Sequence, residues 1–89
     1  MKLYLAHGVS TGWLGMYRMA SLLGMGLLNK VTGESSYRRK ETVLTYYKET
    51  GTLALLGDES DKAELSEMFG LDFVKGSTRQ EELLKSLFY

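Results

Sequence analysis

Cysteine and proline are both absent from this chain, which has 89 residues. Without cysteine, neither a disulfide framework nor a thiolate zinc site can form. Small secreted domains usually depend on such cross-links, and we therefore expect a cytoplasmic protein. Without proline, the chain carries no polyproline ligand and no turn whose φ angle is set by a proline ring.

A long apolar run is missing as well. The most apolar stretch covers residues 13–28, and it is only 16 residues long, with Arg18 near its middle. A membrane span requires about 20 apolar residues, and a signal peptide would place its charges before the apolar stretch. We therefore expect no transmembrane segment, no signal peptide and no membrane partner.

Groups that carry catalysis are scarce too, since His7 is the only histidine and there is no thiol. A nucleophile, a base and an orienting group cannot be singled out. The acidic residues Asp58, Glu59 and Asp61 follow no EF-hand pattern and are typical of the first turn of a helix. We expect no catalytic residue, no metal and no cofactor, and the sequence argues against an enzyme.

Charge is plentiful but divided along the chain. Residues 1–48 carry seven Lys or Arg against two Asp or Glu, whereas residues 49–89 carry four against nine. Such asymmetry concerns association with partners more than it concerns the fold, and we expect a protein partner that is steered by the two poles. The basic pole consists of Tyr37, Arg38, Arg39 and Lys40, and the acidic pole of Glu64 and Glu67.

The basic pole leaves a second interpretation open. Arg and Lys neutralise phosphates and tyrosines stack on bases, so the segment 37–48 could serve as a weak RNA- or DNA-binding module. Against this, the sequence pI is about 6.6, whereas most nucleic-acid-binding domains are basic. A solvated loop is the structural alternative.

The turn after the first predicted strand is a candidate ligand site. Glycines let a backbone approach a ligand, and the amides at a helix N-terminus attract anions such as phosphate, carboxylate or nucleotide groups. The spacing matches neither the dinucleotide-binding nor the P-loop motif, and the alternative is an ordinary capped turn. The candidate residues are His7, Gly8, Ser10, Thr11 and Gly12.

Periodicity and turn residues predict seven elements. Alternation predicts strands, a spacing of three and four predicts helices, and Gly51 marks the turn of a hairpin. A helix over 36–49 is the alternative to the first strand of this hairpin. The predicted strands cover 2–6, 41–48, 52–56 and 71–75, and the predicted helices cover 13–28, 58–69 and 77–89, with a loop over 29–40.

The predicted order β-α-β-β-α-β-α indicates a single α+β domain over residues 1–89. Its first six elements match the split β-α-β plait of ferredoxin-like folds, with a C-terminal helix appended. That helix carries Leu84, Leu87 and Phe88. This apolar surface either packs on the sheet or meets another chain, which could be a second copy.

These features favour a small non-enzymatic protein that binds another protein and masks a surface of a larger macromolecule, as an inhibitory accessory protein does. Small phage accessory proteins share this profile of size and composition, although no motif carries the likeness. The alternatives are an α+β domain that binds a small molecule or an anion through 7–12, and the weak nucleic-acid-binding module at 37–48.

Overall fold

The described part of the chain folds into six strands and three helices. The computed structural model describes residues 1–10, 13–31 and 34–89, and the side chains of 13, 14 and 29–31 lie outside that description. In chain order the elements are β1 (Lys2–Ala6), α1 (Trp13–Leu22), β2 (Gly26–Val31), β3 (Glu34–Arg39), β4 (Thr42–Tyr47), β5 (Thr52–Gly57), α2 (Glu59–Phe69), β6 (Val74–Lys75) and α3 (Thr78–Phe88). Within the described ranges, none of these helices is long and apolar enough to cross a membrane.

The strands form one antiparallel sheet in the order β2-β3-β4-β5-β1-β6. The predicted α+β class, the strand at 2–6 and the hairpin at 41–48 and 52–56 are confirmed, because β4 pairs with β5 and β5 pairs with β1. Gly51 has a φ of 66° in the turn of this hairpin, a left-handed value that glycine adopts without steric cost. The alternative helix over 36–49 is therefore wrong.

The predicted helix over 13–28 is too long, and its last part forms β2 instead. Gly24 adopts a φ of 74°. The Gly24 amide donates to the Ser21 carbonyl (3.0 Å), and the Met25 amide donates to the Ala20 carbonyl (2.9 Å). This pair of bonds is a Schellman motif, which ends a helix at a left-handed glycine. The apolar residues that follow are thereby free to enter the sheet.

The predicted loop over 29–40 is also wrong, since it contains the end of β2 and the whole of β3. Its polar composition is typical of a loop, but the sheet provides hydrogen-bonding partners for some of these side chains. Ser36 and Thr45 are both buried, and their hydroxyl oxygens lie 3.2 Å apart, within hydrogen-bonding distance. Tyr37 on the same strand is fully buried. A polar strand can lie inside a sheet where hydroxyls bond across neighbouring strands.

The C-terminal elements follow the prediction more closely. α2 ends at Phe69 and is followed by the C-cap Gly70, whose φ is 64°. The predicted strand at 71–75 is shortened to the two residues of β6, which pair with β1. α3 begins with a capping box, in which the Gln80 amide donates to Ser77 Oγ (3.2 Å) and the Ser77 amide donates to Gln80 Oε1 (3.0 Å). This box satisfies amides that a helix start leaves without partners.

The sheet packs helices on both faces, because alternate residues of each strand point to opposite sides. The first face packs against α1 and α2 and consists of Tyr4, Ala6, Tyr37, Leu44, Tyr46, Leu53 and Leu55. The second face packs against α3 and consists of Leu3, Val43, Ala54 and Leu56, with Leu5 and Tyr47 partly buried beside them. Two helices therefore cover one face and one helix covers the other.

Candidate functional site: a groove on the second face

α3 crosses the strands near one end of the sheet and is fastened there by two polar contacts. The Leu3 amide on β1 donates to Glu81 Oε1 (3.0 Å), and Arg38 Nη2 on β3 donates to the Phe88 carbonyl (3.0 Å). The strand register places Leu3 and Arg38 on one row across β1, β5, β4 and β3. The helix therefore lies along the row nearest the start of β1, and the rows beyond it receive less cover.

Beside α3 the second face opens into a groove of about 390 Å³, which is within the usual range of ligand-binding pockets. We call it the α3 groove. Its floor consists of Leu3, Leu5 and Ala54, and its wall consists of Leu83, Leu84 and Leu87. Among the described residues that line this groove, none is Asp, Glu, Lys or Arg. The groove is therefore apolar and carries no permanent charge.

Two leucines of the wall are unusually exposed for their size. The exposed fraction is 59% for Leu83 and 74% for Leu87. They lie four residues apart on α3, a spacing that places both side chains on the same side of a helix. None of the residues of α3, all of which the structure describes, is fully buried. The helix thus presents an apolar stripe beside the groove, and no residue in the described part of the chain buries it.

One end of the α3 groove is polar. The Thr50 hydroxyl donates to Thr52 Oγ1 (3.1 Å), and Thr52 Oγ1 lies 3.3 Å from Nδ1 of His7. His7, Thr50 and Thr52 are therefore joined by hydrogen bonds at this end of the groove.

Tyr47 adds a second polar group to the border of the groove. Burial raises the pKa of the Tyr47 phenol, and the negative charge of Glu34 raises it further. A phenol with a raised pKa stays protonated at neutral pH and can donate a hydrogen bond. The border of the groove thus contains at least one hydrogen-bond donor, the Tyr47 hydroxyl, beside hydroxyl and amide groups that can donate or accept.

The structure divides the predicted ligand site at 7–12. His7 lines the α3 groove, and it also borders, together with Gly8 and Ser10, a neighbouring hollow of about 490 Å³. Thr11 and Gly12 lie outside the described residues. The three described residues of the predicted site therefore border one hollow, while His7 also belongs to the α3 groove.

The main chain of this turn is already engaged with the β4–β5 turn. The Val9 amide donates to the Gly51 carbonyl (2.8 Å), and the Val9 carbonyl accepts from the Tyr46 hydroxyl (2.6 Å). An anion site of this kind requires amides that point at the ligand. The observed bonds give the turn a structural role and give no support to anion binding.

Some residues of the basic pole are buried or engaged in contacts within the fold. Tyr37 is fully buried, so its side chain offers no surface to a partner. Arg38 donates to the last turn of α3, and its guanidinium lies 4.7 Å from the centroid of the Tyr89 ring. Lys40 is exposed in the β3–β4 turn, where its φ is 56°. Of these three residues, Lys40 alone presents a charge mainly to solvent.

Arg39 joins the basic pole to the acidic pole inside the molecule. Its Nη1 donates to the Leu23 carbonyl (2.6 Å), and its Nη2 lies 3.3 Å from Asp61 Oδ1 and 3.5 Å from Glu64 Oε2. Glu67 on the same helix is exposed. The charge division along the sequence is therefore neutralised in part by contact between β3 and α2.

Residues predicted at two different sites meet in the α3 groove. His7 comes from the predicted ligand turn, and Leu84 and Leu87 come from the predicted partner surface on the last helix. Phe88, predicted with them, packs on the second face instead. Sequence reasoning does not place Leu83 at a site, although its spacing of four from Leu87 is a visible signal. The sequence shows no comparable spacing that would assign Leu3, Leu5 and Ala54 to the floor of the groove.

Neither metal chemistry nor a known relative assigns a function to the groove. In the ranges that the structure describes, no group of three or more His, Cys, Asp or Glu could hold a metal ion. No model of a known protein family, no curated protein and no solved structure matches the chain. The function is therefore argued from the geometry of the groove.

Proposed function

We propose that this protein is a non-enzymatic protein-binding module that docks a partner in the α3 groove. By occupying the partner it would mask a surface of a larger macromolecule, as an inhibitory accessory protein does. The observation that carries the proposal is the exposure of Leu83 and Leu87, at 59% and 74%, beside an uncharged apolar groove. Apolar patches rimmed by polar groups mark interaction sites on soluble proteins.

Magnitudes favour the groove over the charges as the source of affinity. Burying a leucine side chain completely contributes about 1.5–3 kcal/mol, and each 1.4 kcal/mol is about a tenfold change in Kd. Exposed ion pairs contribute about 0–1 kcal/mol. Lys40 and Glu67 would then affect the rate of association, while Leu83 and Leu87 would supply most of the binding energy.

The two alternative functions receive less support. Anion binding at 7–12 needs backbone amides that point outward, and the Val9 amide is bonded to Gly51. Nucleic-acid binding at 37–48 needs tyrosines that can stack on bases, and Tyr37 and Tyr46 are buried. The exposed leucines of α3 favour a protein partner over both alternatives.

We also infer a more specific fold than the α+β class. The strands β6-β1-β5-β4 with α1 and α2 would be a ferredoxin-like plait, because β1 lies between β6 and β5 and is antiparallel to both. The β2–β3 hairpin would extend its edge, and α3 would cover its second face. This assignment adds nothing to the functional argument, since that fold serves many functions.

A cross-linking experiment with a matched control tests the proposed function. A photoreactive amino acid is placed at position 87 in one protein and at position 22 on α1 in another, since Leu87 and Leu22 are exposed to similar extents, 74% and 67%. The partner captured specifically at position 87 in native cells is identified and purified. Its Kd is then measured for the wild-type protein, for Leu83→Glu with Leu87→Glu, and for Leu22→Glu.

We expect the double variant to weaken binding at least about tenfold, because two buried leucines are replaced by charges. Leu22→Glu should bind like the wild-type protein. Both variants change exposed positions, so their melting temperatures should match that of the wild-type protein. Equal binding by all three proteins would overturn the proposal.

A further inference from the structure

A second hollow, of about 490 Å³, lies where β1 ends and is bordered by α1 and by the C-terminal end of α2. Its volume is within the usual range of small-molecule pockets. His7, Ser10 and Asp72 contribute polar groups, and His7 is the one described residue that this hollow shares with the α3 groove. We call it the Asp72 hollow. The rest of its described side-chain lining is apolar and consists of Ala6, Val9, Met19, Phe69 and Leu71.

The Asp72 hollow differs from two other hollows of the surface in the sign of its charge. At the β3–β4 turn, basic and acidic side chains line the same hollow, and at the β4–β5 turn Lys48 is matched by Glu49. In the Asp72 hollow, Asp72 is the only Asp, Glu, Lys or Arg among the described lining residues. Asp72 is exposed, and no hydrogen bond or ion pair within the described ranges engages its carboxylate. An uncompensated carboxylate favours a cation.

The end of α2 adds to the negative potential of this hollow. Phe69 and Gly70, the last residue of the helix and its C-cap, both line the hollow. The last four carbonyls of a helix lack intrahelical partners and carry the negative end of the helix dipole. The last turn of α2 contains no basic residue. In contrast to the end of α1, none of the described amides that follow α2 bonds back to its carbonyls. A positively charged group in the hollow would therefore compensate both the helix dipole and Asp72.

The apolar lining selects the kind of cation. Calcium and magnesium ions require several oxygen ligands, and in the described ranges no group of three or more His, Cys, Asp or Glu could hold a metal ion. An ammonium group needs fewer polar partners and is also attracted to the face of an aromatic ring, which Phe69 contributes. Met19 and Leu71 offer contacts to an apolar carbon skeleton. The lining therefore fits an organic cation better than a metal ion.

We propose that the Asp72 hollow binds an organic cation, whose ammonium group pairs with Asp72 and whose apolar part contacts Met19, Phe69 and Leu71. This chemistry is shared by free amines and by the lysine side chain of another protein. The inference goes beyond the proposed function, since Asp72 does not line the α3 groove. The charge of the ligand is opposite to that of the anion predicted from the turn at 7–12, because Asp72 is distant from this turn in sequence.

Three probes with the same apolar body and different charges test the inference. Phenethylamine carries an ammonium group, phenethyl alcohol is neutral and phenylpropionate carries a carboxylate. Each probe is titrated into the isotope-labelled full chain, and the NMR signals of residues 6–10, 19 and 69–72 report the binding. The same titrations are made with Asp72→Asn, with Asp72→Lys and with Glu59→Gln. The last variant is the matched control, because it changes the net charge as Asp72→Asn does but lies at the opposite end of α2.

We expect phenethylamine to saturate these signals below about 5 mM, and to bind at least about threefold more tightly than phenethyl alcohol, as an exposed ion pair allows. Phenylpropionate should bind most weakly. Asp72→Asn should abolish the preference for the amine, Asp72→Lys should reverse it in favour of phenylpropionate, and Glu59→Gln should retain it. The melting temperature of Asp72→Asn should match that of the wild-type protein, because the Asp72 carboxylate is exposed and unbonded.

Four results would overturn the inference: equal affinity of the three probes, a preference for the amine that survives Asp72→Asn, an equal loss of preference in Glu59→Gln, or no saturation. A lysine with its α-amine acetylated and its carboxyl amidated then distinguishes the two sources. Tighter binding of this capped lysine than of phenethylamine supports the inference with a protein side chain as the ligand, and weaker binding supports it with a free amine. The proposed function is tested separately, since it depends on Leu83 and Leu87 and not on Asp72.

Discussion

The two faces of the sheet consist of the same strands, but helices cover them to different extents. On the first face α1 and α2 bury Met16, Ala20 and Leu65 completely against the strands. On the second face α3 packs through Leu84 and Phe88 and buries none of its own residues completely. The first face is thus a closed core, and the second face is an interior that is only partly covered. A surface of this kind is stable enough to fold and apolar enough to bind.

The difference extends to how each helix is attached. α2 contributes Leu65 to the core and is also held by the Arg39 contacts to Asp61 and Glu64. α3 depends on half-buried side chains and on two contacts near its ends, at Glu81 and Arg38. Elements with few buried contacts open locally at lower free energy than core elements. We therefore expect amide exchange to be faster in α3 than in α2.

The largest expected effect contrasts one leucine from each face. Leu55→Ala removes a fully buried first-face side chain and should lower the free energy of unfolding by about 2–5 kcal/mol. Leu84→Ala removes a half-buried side chain from the second face, and should lower it by about 1–2 kcal/mol. Urea unfolding at neutral pH measures both values. Equal losses would show that the second face is as tightly packed as the first.

Sequence periodicity predicts most of the first face but not the edge of the sheet. β1, the β4–β5 hairpin, α2 and α3 have regular alternation or spacing of three and four, and these elements are confirmed. β3 is not predicted because polar side chains such as those of Ser36 and Arg38 are typical of a solvated loop. In the structure Ser36 lies within hydrogen-bonding distance of Thr45, and Arg38 donates to the Phe88 carbonyl. Such partners are distant in sequence, so no local pattern announces them.

The next effect contrasts two adjacent arginines that point to opposite faces. Arg39→Met removes the contacts to the Leu23 carbonyl, Asp61 and Glu64, and should lower the free energy of unfolding by about 1–3 kcal/mol. Arg38→Met removes the bond to the Phe88 carbonyl and the contact with the Tyr89 ring, and it should cost less than Arg39→Met because Arg39 makes three polar contacts. Its main effect should be faster amide exchange in the last turn of α3.

A larger loss for Arg38→Met than for Arg39→Met would contradict this account, because it would make the α3 attachment the stronger of the two. Chemical denaturation followed by circular dichroism compares the variants directly. Lys40→Met is the matched control, since Lys40 is exposed in the turn between the same strands. It should leave the free energy of unfolding unchanged within about 0.5 kcal/mol.

The smallest effect concerns the acid sensitivity of the α3 attachment. The Leu3 amide bond and the neighbouring Lys85 hold the pKa of Glu81 below its ordinary value of 4.5. A carboxyl whose pKa is depressed by folding stabilises the native state above the unfolded pKa, and that contribution is lost as the pH falls through the folded pKa. The wild-type protein should therefore lose stability on acidification below about pH 4.5.

Glu81→Gln removes this titration and should flatten the dependence of stability on pH in that range. Glu82→Gln, at an exposed neighbouring position, should keep the wild-type slope. Urea unfolding at a series of pH values between neutral and strongly acidic compares the three proteins. An unchanged slope in Glu81→Gln would show that the contact to Leu3 does not hold α3 in solution.

The candidate site was predictable only in fragments. His7, Leu84 and Leu87 can be selected from the sequence because they stand in a turn and on an amphipathic helix. Their meeting in one groove depends on the path of α3 across the second face, which is fixed by contacts between residues 78 and 50 positions apart. The neutralisation of the two charge poles by Arg39 is likewise a tertiary contact that composition cannot reveal.

The most direct test of the central claim, that the second face is the docking surface, is methyl cross-saturation in the complex. The chain is deuterated with protonated leucine methyl groups, and the purified partner is irradiated. We expect intensity loss at Leu5, Leu83 and Leu87, and none at Leu22 or Leu27, which are exposed on the other side. Loss at Leu22 and Leu27 with intact signals from Leu83 and Leu87 would contradict the account.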